Sequence, residues 1–297
     1  MVTVGGSEGI DMLFRVLLNR GDEVILPTPC YVSYDPIARL CGAKVVEIPL
    51  QQENNFRLTA EELKKAITDK TKILVLPFPA NPTGAIMEEN DLLAIADVIK
   101  DTEIFVMTDE IYAELTYGQY QHVSFASIPG MRERTIVING FSKAYAMTGW
   151  RLGYAMGPKP IIDCMATLHQ VAVICAPTTS QYAAVVAMNE CDDEIDSMRR
   201  QYDMRRRFLI NELNTIGLPC YNAQGAFYVF ADIRGTGMTS EEFCEQLIRR
   251  NRVAVIPGNA FGRAGEGFVR ISYSYSLDHL MEATKRIADF LNSLKEN

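Results

Sequence analysis

The sequence predicts an α/β fold, in which a mainly parallel sheet lies between layers of helices and a smaller α+β domain follows. Two observations lead to this prediction. Short runs that are apolar throughout, rather than alternating, recur in the first half of the chain and are typical of parallel strands buried on both faces. Helical stretches separate these runs, which is the order of successive strand–helix–strand units. With 297 residues, 48% of them hydrophobic and 22% charged, the chain can bury one large core or two modest ones.

The first half of the chain supplies the predicted parallel sheet. A helix should follow the glycine-rich segment 5–9, and the capping-box pattern of Thr59 and Glu62 should open another. The predicted strands are 23–27, 44–48, 72–76, 104–108 and 135–139, and the predicted helices are 10–18, 59–67 and 88–99.

The pattern changes after about Lys159 towards long helices and separated strands. A second capping-box pattern, Thr239 with Glu242, predicts a helix start. We expect a large domain over residues 1–190 and a small C-terminal domain over 191–297. The long helix joins them, so their boundary is broad. The predicted helices here include 159–173, 180–189, 193–216 and 277–294, and the predicted strands are 226–233, 253–257 and 268–273.

Charge and composition exclude several functional classes. The formal net charge of -8 argues against nucleic acid or an anionic membrane as a partner. The basic run Arg205-Arg206-Arg207 lies in the long predicted helix and is interpreted as a solvated face. No apolar run has membrane-spanning length, and the N-terminus lacks the pattern of a signal peptide.

The cysteines and histidines predict no metal centre. The seven cysteines are scattered and form no C-x-x-C pair, and the three histidines stand apart from one another in sequence. Most of the cysteines, including Cys41 and Cys175, have apolar neighbours and are interpreted as buried. This usage favours a reducing compartment, and we expect a cytoplasmic protein.

Candidate functional residues follow three of the predicted strands. Lys143 comes after strand 135–139, Asp109 and Tyr112 come after strand 104–108, and Asn81 comes after strand 72–76. Open α/β sheets bind their ligands at the carboxyl ends of their strands. An amine that can form an imine, with the fixed cation Arg151 eight residues later, suits a phosphorylated aldehyde cofactor. The alternative is a surface lysine and a surface arginine.

Asp109, Asn81 and Tyr112 each allow a chemical and a structural interpretation. A buried carboxylate at Asp109 needs a partner, which a protonated pyridine nitrogen would supply, but Asp is also a common helix cap. Asn81 and Tyr112 could donate to an aromatic oxygen. The segment Asn81-Pro82-Thr83-Gly84 is equally good turn chemistry.

Three further positions suit a phosphate, an aromatic ring and a carboxylate. The segment Gly5-Gly6-Ser7-Glu8-Gly9 offers backbone N–H groups at a helix N-terminus, where phosphates bind. Tyr31 could stack on a ring, or be an ordinary half-buried aromatic residue. Arg270 is a charge inside an apolar strand, and it could grip a carboxylate or form a structural salt bridge.

Taken together and in this order, the motifs resemble the class I/II aminotransferases. These are pyridoxal 5'-phosphate (PLP) enzymes of fold type I, and the chain is similar to their prokaryotic aspartate/aromatic branch. The resemblance covers essentially the whole chain, and it implies a sheet of the seven-stranded type in the large domain. The motifs are Gly5-Gly6-Ser7, Tyr31, Asn81-Pro82-x-Gly84, Asp109-x-x-Tyr112, Ser142-Lys143, Arg151 and Arg270.

The resemblance implies a role for each of these residues. Lys143 would form the Schiff base with PLP and move the proton between the substrate and the cofactor. Asp109 would pair with the pyridine nitrogen, and Arg270 would clamp the substrate α-carboxylate beside Asn81. The remaining cofactor contacts would be Asn81 and Tyr112 at the phenolic oxygen, Tyr31 on the ring, and Gly6, Ser7, Glu8, Ser142 and Arg151 at the phosphate.

The implied reaction moves an amino group from an aspartate, aromatic or alanine-like L-amino acid to a 2-oxo acid such as 2-oxoglutarate. A carbon–sulfur lyase on the same fold is one alternative, and a non-catalytic binding domain of the kind fused to DNA-binding regulators is another. The resemblance also implies a homodimer.

Three departures from the family pattern stand out. The family has a substantial segment before its Gly-Gly-Ser loop, whereas four residues precede Gly5, so a shortened chain is expected. Gly140 stands where the family often has serine, and Ser142 or the backbone would compensate at the phosphate. Ser7 stands where some aspartate-preferring relatives carry lysine, which leaves no evident receptor for a second substrate carboxylate.

Overall fold

The computed structural model describes residues 1–295, and a seven-stranded sheet is its largest element. The strand order is β1-β7-β6-β5-β4-β2-β3. Neighbours from β6 to β3 run parallel, and β7 is antiparallel to both β6 and β1. The predicted mainly parallel sheet is therefore confirmed. The strands are β1 (Val2–Thr3), β2 (Glu23–Thr28), β3 (Lys44–Pro49), β4 (Thr71–Leu76), β5 (Phe105–Asp109), β6 (Thr135–Gly140) and β7 (Gly153–Met156).

Helices cover both faces of this sheet, which explains why its central strands are apolar throughout. In β4, Leu74 and Leu76 pack in one core cluster with α4, whereas Ile73 and Val75 pack on the opposite face with α1 and α5. None of the helices within residues 1–295 is long and apolar enough to cross a membrane. The helices of this half are α1 (Gly6–Leu17), α2 (Tyr34–Leu40), α3 (Ala60–Ala66), α4 (Glu89–Ile99), α5 (Lys159–Ala172) and α6 (Thr178–Glu190).

The C-terminal part has its own small sheet and its own core. The antiparallel strands lie in the order β8-β10-β9, and Leu213, Val229 and Phe290 belong to one cluster of buried residues there. The small α+β unit is therefore confirmed, while the division at residues 190 and 191 stays a prediction. Its elements are α7 (Asp192–Thr215), β8 (Tyr228–Asp232), α8 (Ser240–Asn251), β9 (Ile256–Pro257), β10 (Phe268–Ser272) and α9 (Leu277–Lys295).

Both predicted capping boxes are present. The Thr59 hydroxyl accepts from the backbone N–H of Glu62, and the Glu62 carboxylate accepts from the backbone N–H of Thr59. Thr239 and Glu242 make the same pair of hydrogen bonds at the start of α8. Each box satisfies two N–H groups that the first helical turn would otherwise leave unpaired.

Two predictions about side-chain burial are wrong. Arg206 is only 8% exposed, and its guanidinium donates to Asp203, Asn222 and the carbonyl oxygen of Ala223, so the arginine run is not simply a solvated face. The cysteines are mostly not buried either. Only Cys30 is buried, and Cys164 and Cys175 are exposed. The apolar neighbours of Cys175 gave a misleading signal, because Val173 and Ile174 are themselves exposed.

Candidate active site

A cavity of about 340 Å³ lies where the carboxyl ends of β4, β5 and β6 meet. Because these three strands are parallel neighbours, the segments that follow them emerge at one edge of the sheet. The predicted site residues that line the cavity are Gly6, Ser7, Tyr31, Asn81, Asp109, Tyr112, Ser142, Lys143, Arg151 and Arg270.

The Lys143 side chain is partly buried beside aromatic rings. Its amine lies 5.7 Å from the ring centroid of Phe227 and 6.0 Å from that of Tyr112. Burial lowers the pKa of the Lys143 amine, and the positive charges of Arg270 and Arg151 lower that pKa further, against the opposing effect of Tyr31. A lowered pKa increases the fraction of neutral amine, which is the form that attacks an aldehyde.

Asp109 is a buried carboxylate held by two hydrogen bonds. The Tyr34 hydroxyl donates to its Oδ2 at 2.6 Å, and the backbone N–H of Ile111 donates to its Oδ1 at 3.2 Å. Burial raises the pKa of the Asp109 carboxyl, while these two hydrogen bonds oppose the rise. A cation placed against Asp109 would therefore stabilise its ionised form.

Tyr34 was missed by the sequence reasoning. It lies in the first turn of α2, an element that was not predicted, and its side chain is only 2% exposed. Its ring also packs edge-on against Tyr31, with 5.5 Å between the centroids. The repeated tyrosine in Tyr31-Val32-Ser33-Tyr34 was the available signal, since a residue three positions on returns to the same side of a helical turn.

The N-terminus of α1 and Arg151 form an anion-binding corner of the cavity. Gly5 has φ 75°, and a Cβ added there would lie 2.5 Å from Nη2 of Arg151, so glycine lets the guanidinium lie against the loop. The other amino group of Arg151, Nη1, donates to the carbonyl oxygen of Thr148 at 2.9 Å. Free N–H groups at a helix start beside a guanidinium suit a phosphate.

The Glu8 side chain does not line this cavity. Its Oε1 lies 2.8 Å from Nδ1 of His169 in α5, and its Oε2 accepts from the backbone N–H of Val4. The Glu8 side chain is therefore engaged elsewhere, since its carboxylate joins the loop before α1 to α5. A carboxylate would also repel a phosphate, because both groups are negatively charged. A phosphate contact through the backbone of Glu8 stays a prediction.

Gly140 is explained by its contacts. A Cβ on Gly140 would lie 2.8 Å from Cα of Gly153 and 2.9 Å from the carbonyl oxygen of Leu152. The close approach of β6 and β7 therefore requires glycine here, and Ser142, which lines the cavity, is the serine of this segment that is placed near the site.

Arg270 carries a partly buried charge without an acidic partner. Its Nη1 donates to Oδ1 of Asn81 at 2.9 Å, and its guanidinium lies 4.4 Å from the ring centroid of Tyr228 and 4.8 Å from that of Phe261. Its Nε is buried without a hydrogen-bond partner, and within residues 1–295 no carboxylate oxygen lies in salt-bridge range of it. A structural salt bridge therefore does not account for Arg270, and a ligand carboxylate would satisfy it.

The charges of the cavity fit an anionic, phosphorylated cofactor such as PLP. Three cationic side chains line it (Lys143, Arg151 and Arg270), while Asp109 is the one carboxylate of the described residues that does so. The unpaired Nε of Arg270 and the close approach of Arg151 to Gly5 also suit a bound anion.

Comparisons with known proteins agree with this geometry. A family model described as aminotransferase class I and II matches residues 1–287. An aspartate aminotransferase of Pyrococcus abyssi is 44% identical over 297 residues, which span 99% of this chain and 76% of that protein. An aromatic aminotransferase structure from Pyrococcus horikoshii is similar with a TM-score of 0.97 at 44% identity, over 99% of this chain and 80% of that one. A structure of aspartate aminotransferase from Thermus thermophilus with maleate is similar with a TM-score of 0.93 at 37% identity, over 97% of this chain and 75% of that one.

These matches confirm the resemblance inferred from the motifs. The similar proteins are aminotransferases, and this favours amino-group transfer over the lyase and over the non-catalytic binding domain. Members of the matching family use PLP, so PLP is the cofactor and transfer of an amino group is the chemistry. The chain belongs to the class I and II aminotransferases.

Proposed function

We propose that this chain transfers the amino group of an L-amino acid to a 2-oxo acid such as 2-oxoglutarate, within the cavity at the sheet edge. The observation that carries the proposal is one cavity that combines the Lys143 amine, the Asp109 carboxylate and the unpaired guanidinium of Arg270. Bound PLP supplies the electron sink for the α-carbon of the substrate. Binding, orientation and proton movement are then the work of the side chains.

Lys143 holds the cofactor covalently and moves a proton at its Nζ. Both tasks use the neutral amine, which its lowered pKa favours. Asp109 would hold the proton on the pyridine nitrogen as an ion pair. Burial raises the pKa of free Asp109, and pairing with a cation would oppose this rise and so stabilise the ionised carboxylate.

Three side chains would orient the cofactor ring and its phenolic oxygen. Arg270 uses the side-chain oxygen of Asn81 as an acceptor, which leaves the Asn81 amide N–H groups to donate into the cavity. Tyr112 donates from its hydroxyl, whose pKa burial raises well above the ordinary value, so it stays protonated. Tyr31 would hold the ring from one side. Gly6, Ser7, Ser142 and Arg151, which line the cavity, would hold the phosphate.

Arg270 binds the α-carboxylate of the amino acid and of the oxo acid. Two flanking rings and Asn81 fix its guanidinium before the ligand arrives, so little side-chain entropy is lost on binding. Donors of the aspartate, aromatic and alanine-like classes are proposed, because relatives at 44% and 42% identity are named aspartate and aromatic-amino-acid aminotransferases.

A donor panel tests this function. Purified protein with PLP should form glutamate from 2-oxoglutarate in a one-to-one ratio with the oxo acid derived from the donor. Lys143→Ala should form none, and Leu40→Ala, at an exposed position of α2, should match the wild type. Release of pyruvate and ammonia without any oxo-acid acceptor would support a lyase instead.

The proposed assembly is a homodimer formed through the exposed apolar face of α6. Tyr182, Val185, Val186 and Met188 in this helix are between 51% and 74% exposed, and Ile174 in the preceding loop is 78% exposed. An exposed apolar surface of this kind marks an interface. A second copy of the chain is the occupant that the resemblance implies.

Sedimentation of paired charge substitutions tests this interface. Val185→Asp combined with Met188→Asp should convert a dimer to a monomer, because two carboxylates would be buried unpaired. Leu40→Asp, on another surface and 79% exposed, should leave the mass unchanged. A wild-type protein that sediments as a monomer would contradict the proposal.

The proposed location is the cytoplasm. The seven cysteines are free thiols, which suits a reducing compartment. Fractionation of cells that carry a tagged copy would test this, and recovery of the protein outside the cytoplasmic fraction would refute it.

A further inference from the structure

Tyr228 touches two of the site residues although no motif singles it out. It is the first residue of β8, in the small sheet, and its side chain is only 7% exposed and lines the cavity. Its hydroxyl lies 3.1 Å from the hydroxyl of Tyr112, and its ring faces the guanidinium of Arg270 at 4.4 Å. It therefore stands between the residue assigned to the cofactor's phenolic oxygen and the residue assigned to the substrate carboxylate.

The Tyr112–Tyr228 pair has two possible arrangements of its protons. Within residues 1–295 neither hydroxyl has another hydrogen-bond partner, and only one proton can lie between the two oxygens. If Tyr112 donates to Tyr228, its only proton is used within the pair. If Tyr228 donates to Tyr112, the proton of Tyr112 is free to point into the cavity.

The surrounding charges favour donation by Tyr228. Arg270 lies directly over the Tyr228 ring, and a nearby cation makes a hydroxyl more acidic and hence a better donor. The positive charge of Arg270 lowers the pKa of Tyr112 as well, but the negative charge of Asp109 raises it and so opposes donation by Tyr112. Lys143, with its amine 6.0 Å from the Tyr112 ring, and Tyr31 are the other titratable groups around the pair.

We propose that Tyr228 is a positioning residue that donates its hydroxyl proton to Tyr112, so that Tyr112 donates its own proton to the phenolic oxygen of the cofactor. Hydrogen bonds in such a chain polarise one another, so the bond from Tyr112 becomes stronger than it would be alone. The inference deepens the proposed function and rests on the role given there to Tyr112.

The test measures the pH at which the absorption spectrum of the bound cofactor changes. A hydrogen bond to the phenolic oxygen stabilises its ionised form and so lowers the pKa of the nitrogen that joins Lys143 to the cofactor. Tyr228→Phe should therefore raise this midpoint by about 0.1–0.7 pH unit, from a cooperative strengthening of about 10–30% of a charge-assisted hydrogen bond. Tyr112→Phe should raise it further.

The double variant decides whether Tyr228 acts through Tyr112. The midpoint of Tyr112→Phe should not change when Tyr228→Phe is added, since the relay is already broken. Additive shifts, or no shift in Tyr228→Phe alone, would overturn the inference. An unchanged midpoint in Tyr112→Phe would instead overturn the role given to Tyr112 under the proposed function, so the two failures are distinguishable.

Two controls separate the relay from a loss of stability. Tyr221→Phe also removes a buried hydroxyl with one hydrogen bond, to Gln224 at 3.0 Å, away from the cavity, and should leave the midpoint unchanged. Tyr228→Leu removes the hydroxyl together with the ring that faces Arg270. It should raise the midpoint as Tyr228→Phe does, so either variant suffices if the other does not fold.

Discussion

Tyr34→Phe should weaken cofactor binding without removing any atom that contacts the cofactor's reactive carbon. The variant loses only the hydroxyl that donates to Asp109 at 2.6 Å, and it keeps the ring that packs against Tyr31. Burial raises the pKa of Asp109 when no cation faces it, so this hydrogen bond is fully charge-assisted only when the pyridinium is bound. Loss of this hydrogen bond therefore destabilises the PLP-bound protein more than the apoprotein.

The size of the effect follows from the strength of that bond. Hydrogen bonds to charged groups contribute about 1.5–3 kcal/mol. At about 1.36 kcal/mol for each factor of ten, the dissociation constant of PLP should rise about 10- to 100-fold. Titration of the apoprotein with PLP, followed by absorbance, measures this constant directly.

Tyr221→Phe is the matched control for this prediction. It should lower the free energy of unfolding by about 1 kcal/mol, as a lost neutral hydrogen bond does, and leave the PLP dissociation constant unchanged. A Tyr34→Phe protein that binds PLP as tightly as the wild type would refute the reasoning, and so would equal weakening in the control.

Three further variants and profiles address the rest of the site. Arg270→Gln should raise the KM of the amino donor about 100-fold or more, because a buried ion pair with the substrate is lost, while PLP titration of the apoprotein shows little change. Glu8→Ala should lower the free energy of unfolding in urea by about 1.5–3 kcal/mol, because the backbone N–H of Val4 loses its acceptor. Asp11→Asn, which breaks an exposed ion pair, should lower it by at most about 0.5 kcal/mol. Equal losses would contradict the structural role given to the Glu8 carboxylate. The rate of PLP capture by the apoprotein should rise with pH as the Lys143 amine loses its proton, with a midpoint below 10.5 because its pKa is lowered; stopped-flow absorbance at several pH values would expose a midpoint at or above 10.5.

The central strands were predictable because their local sequence already reflects burial on both faces. β2, β4, β5 and β6 all lie within one or two residues of the predicted runs. β1 and β7 were not predicted, since β1 has only two residues and exists through its pairing with β7. The predicted strand 253–257 shrinks to Ile256–Pro257, because only these two residues pair with β10.

The site was predictable where a motif fixes a residue at a strand end, and not where a contact joins distant segments. Lys143, Asp109 and Asn81 follow strands that the sequence identified, and the cavity contains all three. Tyr228 reaches Tyr112 across 116 residues of chain, so no local pattern marks it.

The orientation of the Glu8 side chain also depends on a contact between distant segments. The sequence places Glu8 just before a helix predicted over 10–18, whereas α1 begins at Gly6 and includes it. The direction of its carboxylate depends on His169, 161 residues away. Burial of Arg206 likewise depends on Asn222 and on the carbonyl of Ala223, which the helical pattern alone does not reveal.

The central claim is that Lys143 is the residue that holds the cofactor, and one measurement tests it most directly. The holoenzyme is reduced with borohydride, digested, and mapped by mass spectrometry for the lysine that carries the cofactor. The account predicts the added mass on the peptide that contains Lys143, and none on any peptide of Lys143→Ala. Cofactor mass on a different lysine of the wild-type protein would contradict it.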